Sequence, residues 1–187
     1  MSKKNRSYRV ARYVMYKQTL VKPIDHFWTF LGAFMGIALI GFAQTYFNKI
    51  EPIDNLFLIG SFGASAVLIY GIPNSPLAQP RNLIGGHVIS AIVGVSVFKV
   101  CSFLPPDLLW LPAALAVSVA IVVMQMSKTL HPPGGATALI ATIGSEKIKT
   151  LGYSYVLTPV LTGVLIMFAV AMVVNNIPEG RSYPAKR

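Results

Sequence analysis

The stretch His131-Pro132-Pro133-Gly134-Gly135-Ala136-Thr137-Ala138-Leu139-Ile140-Ala141-Thr142-Ile143-Gly144 decides how this chain is read. It is apolar and uncharged, yet shorter than the roughly 20 residues that a bilayer-crossing helix needs. Its prolines bar helix upstream, and its glycines expose amides where the next helix starts. Sliding the sequence along itself finds a counterpart 72 residues earlier: Gly63-Ala64-Ser65-Ala66-Val67-Leu68 falls on Gly135-Ala136-Thr137-Ala138-Leu139-Ile140. At the same offset Val88-Ile89-Ser90-Ala91 falls on Val160-Leu161-Thr162-Gly163.

Longer apolar segments flank the two short ones. Residues 26–47, 107–127 and 155–175 reach span length, and 83–103 does so despite His87 and Lys99. The expected fold is an all-α polytopic membrane protein with a transmembrane domain over 26–177. It divides into two three-helix repeats, about 25–103 and 107–175, each with a short glycine-interrupted helix in the middle. Three crossings per half is odd, so the repeats are expected to be inverted, an architecture that puts a substrate site where the interrupted segments meet. The small residues also suit plain helix packing, and the two readings are compatible.

Composition excludes a soluble globule. Only 12% of the 187 residues are charged and 54% are hydrophobic, where soluble domains carry roughly 25% charged residues. The net charge of +10 is concentrated at the start, with seven of the sixteen Lys and Arg in the first 22 residues. That pattern suits an anionic cytoplasmic leaflet and argues against nucleic acid. Residues 1–25 contain no continuous apolar run, so they read as a basic cytoplasmic segment and not as a cleavable signal peptide; 178–187 reads as a basic cytoplasmic tail. If six segments cross, twelve Lys and Arg lie on the side of the termini and three on the other; if the short segments are re-entrant, the split is ten to five. Either way the positive-inside rule puts both termini in the cytoplasm, and the plasma (inner) membrane is the expected location.

All six acids, Asp25, Glu51, Asp54, Asp107, Glu146 and Glu179, fall in loops or at helix ends. No carboxylate is left at membrane depth for a cation site, a carboxylate relay or hydrolysis, so the chain does not read as an enzyme. His87, His131 and the lone Cys101 show no metal-ligand spacing, and no cofactor is implied. The polar groups inside are mostly donors, which favours an anion. The candidate binding residues are Ser61, Gly63, Ala64, Ser65, His131, Gly134, Gly135, Ala136 and Thr137; Arg81, Asn82, His87 and Lys128 are candidates for the pathway. Pro132 and Pro133 are expected to hold the chain extended and leave the amides around 134–136 unpaired, with His131 as a switchable charge and His87 secondary. An isolated histidine is more often structural than a ligand.

Three motifs occur in order: Phe62-Gly63-Ala64-Ser65-Ala66, then Ser75-Pro76-Leu77-Ala78-Gln79-Pro80-Arg81-Asn82 leading to Gly85-Gly86-His87, then His131-Pro132-Pro133-Gly134-Gly135-Ala136-Thr137-Ala138. With them, residues 25–175 resemble the HPP family of integral membrane proteins. Members in plant plastids and cyanobacteria are associated with nitrite transport, so the resemblance implies a permease for a small monovalent inorganic anion, with nitrite the leading substrate. The family is usually described with four spans, against the six expected here. Some relatives carry a regulatory domain pair of the CBS type, which residues 1–187 do not resemble. The alternative is a structural or regulatory membrane subunit that transports nothing. Six short helices enclose little volume, which leaves room for a homo-oligomer.

Overall fold

Prolines set where helices begin. Pro23, Pro80 and Pro133 each open a helix, at positions where the missing N–H had no intrahelical acceptor. The structure, a computed structural model, describes residues 22–46, 60–108 and 110–185. Among these residues there are helices and turns and no strand. In chain order, α1 is Pro23–Tyr46, α2 Gly60–Gly71, α3 Pro80–Val100, α4 Trp110–Met126, α5 Pro133–Ile143, α6 Glu146–Leu151 and α7 Val156–Val174.

Helices α1, α3 and α7 are long and apolar enough to cross a membrane. Helix α4, expected from hydropathy to begin at 107, falls short of that class. Pro105 and Pro106 lead into a 3-10 turn, Pro106–Leu108, so the α-helix starts only at Trp110. Helices α2 and α5 are about 18 and 17 Å long at 1.5 Å per residue, well under the hydrocarbon thickness. Helix α2 ends in a wide π turn, Val67–Gly71. Helix α7 opens with π turns and is broken at Thr158, whose φ of −136° and ψ of 119° are extended, as expected before Pro159.

Helix α3 is central, packed against α5 and α4, which also pack on each other; α1 lies against α7 and the end of α2. The α3–α5 contact depends on missing side chains. A Cβ on Gly94 would stand 2.5 Å from the Ala138 carbonyl oxygen and 2.9 Å from its Cα, so the two backbones touch. In lipid, where apolar burial between helices gains little, close approach of this kind drives association. The outside is apolar: α1 exposes Phe27, Phe30, Phe34, Leu39 and Phe42, and α4 exposes Trp110 and Val122. Such faces are a liability in water and are satisfied by hydrocarbon.

Helix ends gather at two poles. At one, Arg81 Nη2 donates to Ser127 O at 2.7 Å and Asn82 Nδ2 to Leu130 O at 2.7 Å, joining the start of α3 to the segment between α4 and α5. The expected basic tail is tied down there. Arg181 donates to Tyr70 O at 2.6 Å and to Asn175 Oδ1 at 2.7 Å, and its guanidinium lies 3.8 Å from Asp25 Oδ1. Tyr183 is 1% exposed and donates its hydroxyl to Ala78 O at 2.7 Å. A helix end leaves carbonyls without intrahelical donors, and at the end of α2 Tyr70 O takes Arg181 while Ile69 O takes Asn175 Nδ2 at 2.8 Å. At the other pole, α6 and the start of α7 meet the end of α3, where the Lys99 ammonium sits 5.3 Å from the Tyr153 ring. The basic segment expected over 1–25 lies, up to residue 21, outside the described residues, as do residues 47–59 between the first long segment and the first short one.

Candidate functional site

The first turns of α2 and α5 meet in the interior. Ser61 Oγ donates to Pro133 O at 3.1 Å and lies 2.9 Å from Thr137 Oγ1. Since Ser61 and Pro133, and likewise Ser65 and Thr137, are 72 residues apart, corresponding positions of the two short helices face one another. Ser65 Oγ stands between two imidazoles, 2.8 Å from His87 Nε2 and 2.9 Å from His131 Nε2. His87 Nδ1 continues the chain to Thr137 Oγ1 at 2.7 Å, and His131 Nδ1 ends it at Leu77 O at 2.9 Å. A carbonyl only accepts, so His131 Nδ1 carries a hydrogen and donates.

Local structure explains each position. Ser61 and Ser65 are one turn apart on α2, on the face that also buries Phe62. On α3 a stripe of Leu83, His87, Ser90, Ala91 and Gly94 is buried, and small residues beside His87 let α5 come close. A Cβ on Gly86 would collide with the Cβ of His131 and stand 3.0 Å from Thr129 O. Ser61, Ser65, His87, His131 and Thr137 are each at most 2% exposed, and every one of their polar atoms has a partner. The Phe62 ring, 5.4 Å from that of His87, and Tyr155, whose hydroxyl donates to Thr137 O at 3.1 Å, complete the shell.

The structure divides the sequence candidates. It brings together Ser61, Ser65, His131 and Thr137, and gives His87, secondary on sequence grounds, an equal place among them. The stripe of small and polar residues on α3 was the available signal. Gly63, Ala64, Gly135 and Ala136 lie on the outer sides of α2 and α5, partly or fully exposed. Gly134 packs against Ser90, its absent Cβ only 2.7 Å from Ser90 Oγ. The expectation of unpaired amides is corrected: Gly134 N–H donates to His131 O at 2.8 Å and Gly135 N–H to Pro132 O at 3.0 Å. Pro132 is helical, not extended, at φ −51° and ψ −39°, so helix geometry begins one residue before Pro133 and satisfies those donors. Arg81, Asn82 and Lys128 sit together at the pole above the cluster. Lys128 adopts a left-handed φ of 57°, and Thr129 N–H returns to Met124 O at 2.9 Å to close α4. Tyr155, Tyr70, Asn175 and Arg181 had no sequence signal, because each has a backbone carbonyl among its partners.

Among the described residues no carboxylate contacts either imidazole; Asp25, Asp107, Glu146 and Glu179 are partly or fully exposed. The cluster can donate to or accept from a small polar species only by exchanging bonds that it now makes internally, and its imidazoles can take up a proton. It has no fixed negative charge to attract a metal cation.

Residues 18–184 match the family described as HPP, transmembrane region. Two transmembrane proteins of Dictyostelium discoideum are 48% and 45% identical to the chain over 157 residues, 84% of its length. The chain spans about half the length of these relatives, 54% and 49%. No solved structure matches it. The matched region contains all the helices described above and the histidine cluster, and the chain belongs to the HPP transmembrane family.

Proposed function

We propose that this protein passes a small monovalent inorganic anion, nitrite first among candidates, across the plasma (inner) membrane with both termini cytoplasmic. One observation carries the reading: the first turns of two short, sequence-related helices meet inside the membrane domain around five buried hydroxyl and imidazole groups, with no carboxylate among the described residues in contact. Donor groups and developing positive charge favour an anion over a cation. The choice of nitrite rests on the family resemblance alone. The contact of Ser61 with its repeat counterpart Pro133 supports two inverted halves related by an axis through that point. Arg81 and Lys128 draw the anion toward the cluster from the cytoplasmic pole, and the basic N-terminal segment rests on anionic lipid. The process is passage, not catalysis, and a homo-oligomer is compatible with it.

A second reading has its own support. Every polar atom of the cluster is already paired, as in a purely structural knot within a non-transporting membrane subunit. Nitrite uptake into proteoliposomes, with and without an imposed proton gradient, separates the two. Uptake above protein-free vesicles that falls at least tenfold in His131→Ala supports the permease; uptake equal to empty vesicles by a folded protein overturns it.

A further inference from the structure

The hydrogens in the buried chain can be counted. From Leu77 O through His131, Ser65, His87, Thr137 and Ser61 to Pro133 O there are six contacts between 2.7 and 3.1 Å, each needing one hydrogen. With both imidazoles neutral, the three hydroxyls and two rings supply one hydrogen each, five in all. Both ends are carbonyls, which supply none. Wherever the shortage is placed, two acceptors face each other at hydrogen-bond distance. A further contact, Ser65 Oγ to Ser61 O at 3.4 Å, competes for a hydrogen already committed and deepens the shortage. One added proton resolves it. With His131 doubly protonated, Nδ1 donates to Leu77 O and Nε2 to Ser65, which donates to His87 Nε2; His87 Nδ1 then donates to Thr137, Thr137 to Ser61 and Ser61 to Pro133 O. With His87 doubly protonated the chain is equally complete, as Ser65 then donates to His131.

Charge works against this. The groups facing the imidazoles are Ser65 and Phe62 from α2, Thr137 from α5, and Leu77 O from the turn before α3; Ser61 bonds Thr137, and Tyr155, ahead of α7, donates to Thr137 O. None is anionic, and an isolated buried cation pays a heavy desolvation cost. A bound monovalent anion cancels it.

We infer that the His87–Ser65–His131 chain is a binding site for one proton, occupied together with the transported anion, so that the two move as a neutral pair. This rests on the permease reading and adds its coupling ion. The proton joins whichever imidazole nitrogen lacks a hydrogen, Ser65 turns its hydroxyl toward the other ring, and both leave together when the anion departs.

The test uses the full chain in nanodiscs, with 15N-labelled histidine and His26→Gln to leave only the two cluster histidines, and sodium nitrite as the probe. With nitrite, the nitrogen spectrum should show one excess proton per chain shared by the pair. In Ser61→Ala two contacts and one hydrogen disappear, the count balances, and both rings should become neutral, His131 protonated on Nδ1 and His87 on Nε2. Thr137→Val also balances the count and serves if Ser61→Ala does not fold. Two neutral rings in the parent, or an excess proton that persists in both variants, overturns the proton site. Nitrite uptake measured beside an entrapped pH dye, corrected for nitrous-acid leak in empty vesicles, should carry one proton per anion. Protein-dependent uptake without protons overturns the coupling and spares the permease. No protein-dependent uptake overturns the permease, and the spectra then decide the proton site alone.

Discussion

The imidazole rings of His87 and His131 lie 5.0 Å apart, centroid to centroid, although they belong to different halves of the chain. Ser65 bonds both, which makes the pair one hydrogen-bonded unit and, under the permease reading, one functional unit. Residues within one network act non-additively. His87→Ala should therefore reduce anion flux about as much as His131→Ala, and the double variant should lose little more than either. Proteoliposome rates for the three proteins give the cycle; full additivity would separate the rings functionally.

Gly94 tests the α3–α5 contact. An added methyl meets the backbone of Ala138 and the Ala141 Cβ at 2.5 to 2.9 Å, and backbone cannot swing aside. Gly94→Ala should cost about 1–3 kcal/mol, the usual penalty for overpacking, read as a lowered thermal midpoint in detergent. Gly63→Ala, with nothing within 4 Å of the new carbon, should be nearly neutral.

Lys128 holds a left-handed conformation that L-residues adopt at a cost of about 1–2 kcal/mol. Lys128→Gly should raise the unfolding midpoint. Under the permease reading it should also slow uptake at low salt, where the lost charge counts most. A lowered midpoint would show that the side chain contributes more than the backbone strain removes.

The tail latch predicts an alkaline transition. Burial pushes the Tyr183 phenol above its ordinary value near 10. A raised folded pKa means stability that is full below the unfolded value and lost as pH rises past it. Thermal midpoints should hold to about pH 9.5 and then fall, and Tyr183→Phe should begin lower and lose the Tyr183 part of that fall. An equal alkaline fall in Tyr183→Phe would assign it to other groups.

Topology can be read with single cysteines in a Cys101→Ser background. Asn74 and Lys128 are exposed at the pole where Arg81 bonds Ser127 O; Tyr153 is exposed at the other. Asn74→Cys and Lys128→Cys should label from the cytoplasm and Tyr153→Cys from outside. Ala78 is fully buried and would label from neither side. Labelling of 74 and 153 from one side would overturn the arrangement of crossings.

Composition, hydropathy and proline positions by themselves determined an all-helical membrane protein with two short apolar helices, because span length and backbone satisfaction in lipid are local properties of a sequence. The 72-residue echo, a property of the chain's own letters, also singled out Ser65 and Thr137. Only the tertiary structure decided that His87 joins His131, since the identity of a side chain across a helix crossing depends on how closely glycines let backbones approach. It alone decided that the amides of Gly134 and Gly135 are already paired, that Arg181 closes the end of α2, and that Tyr183 ties the tail to the turn before α3. Their partners are carbonyl oxygens, which every residue carries and no sequence pattern distinguishes.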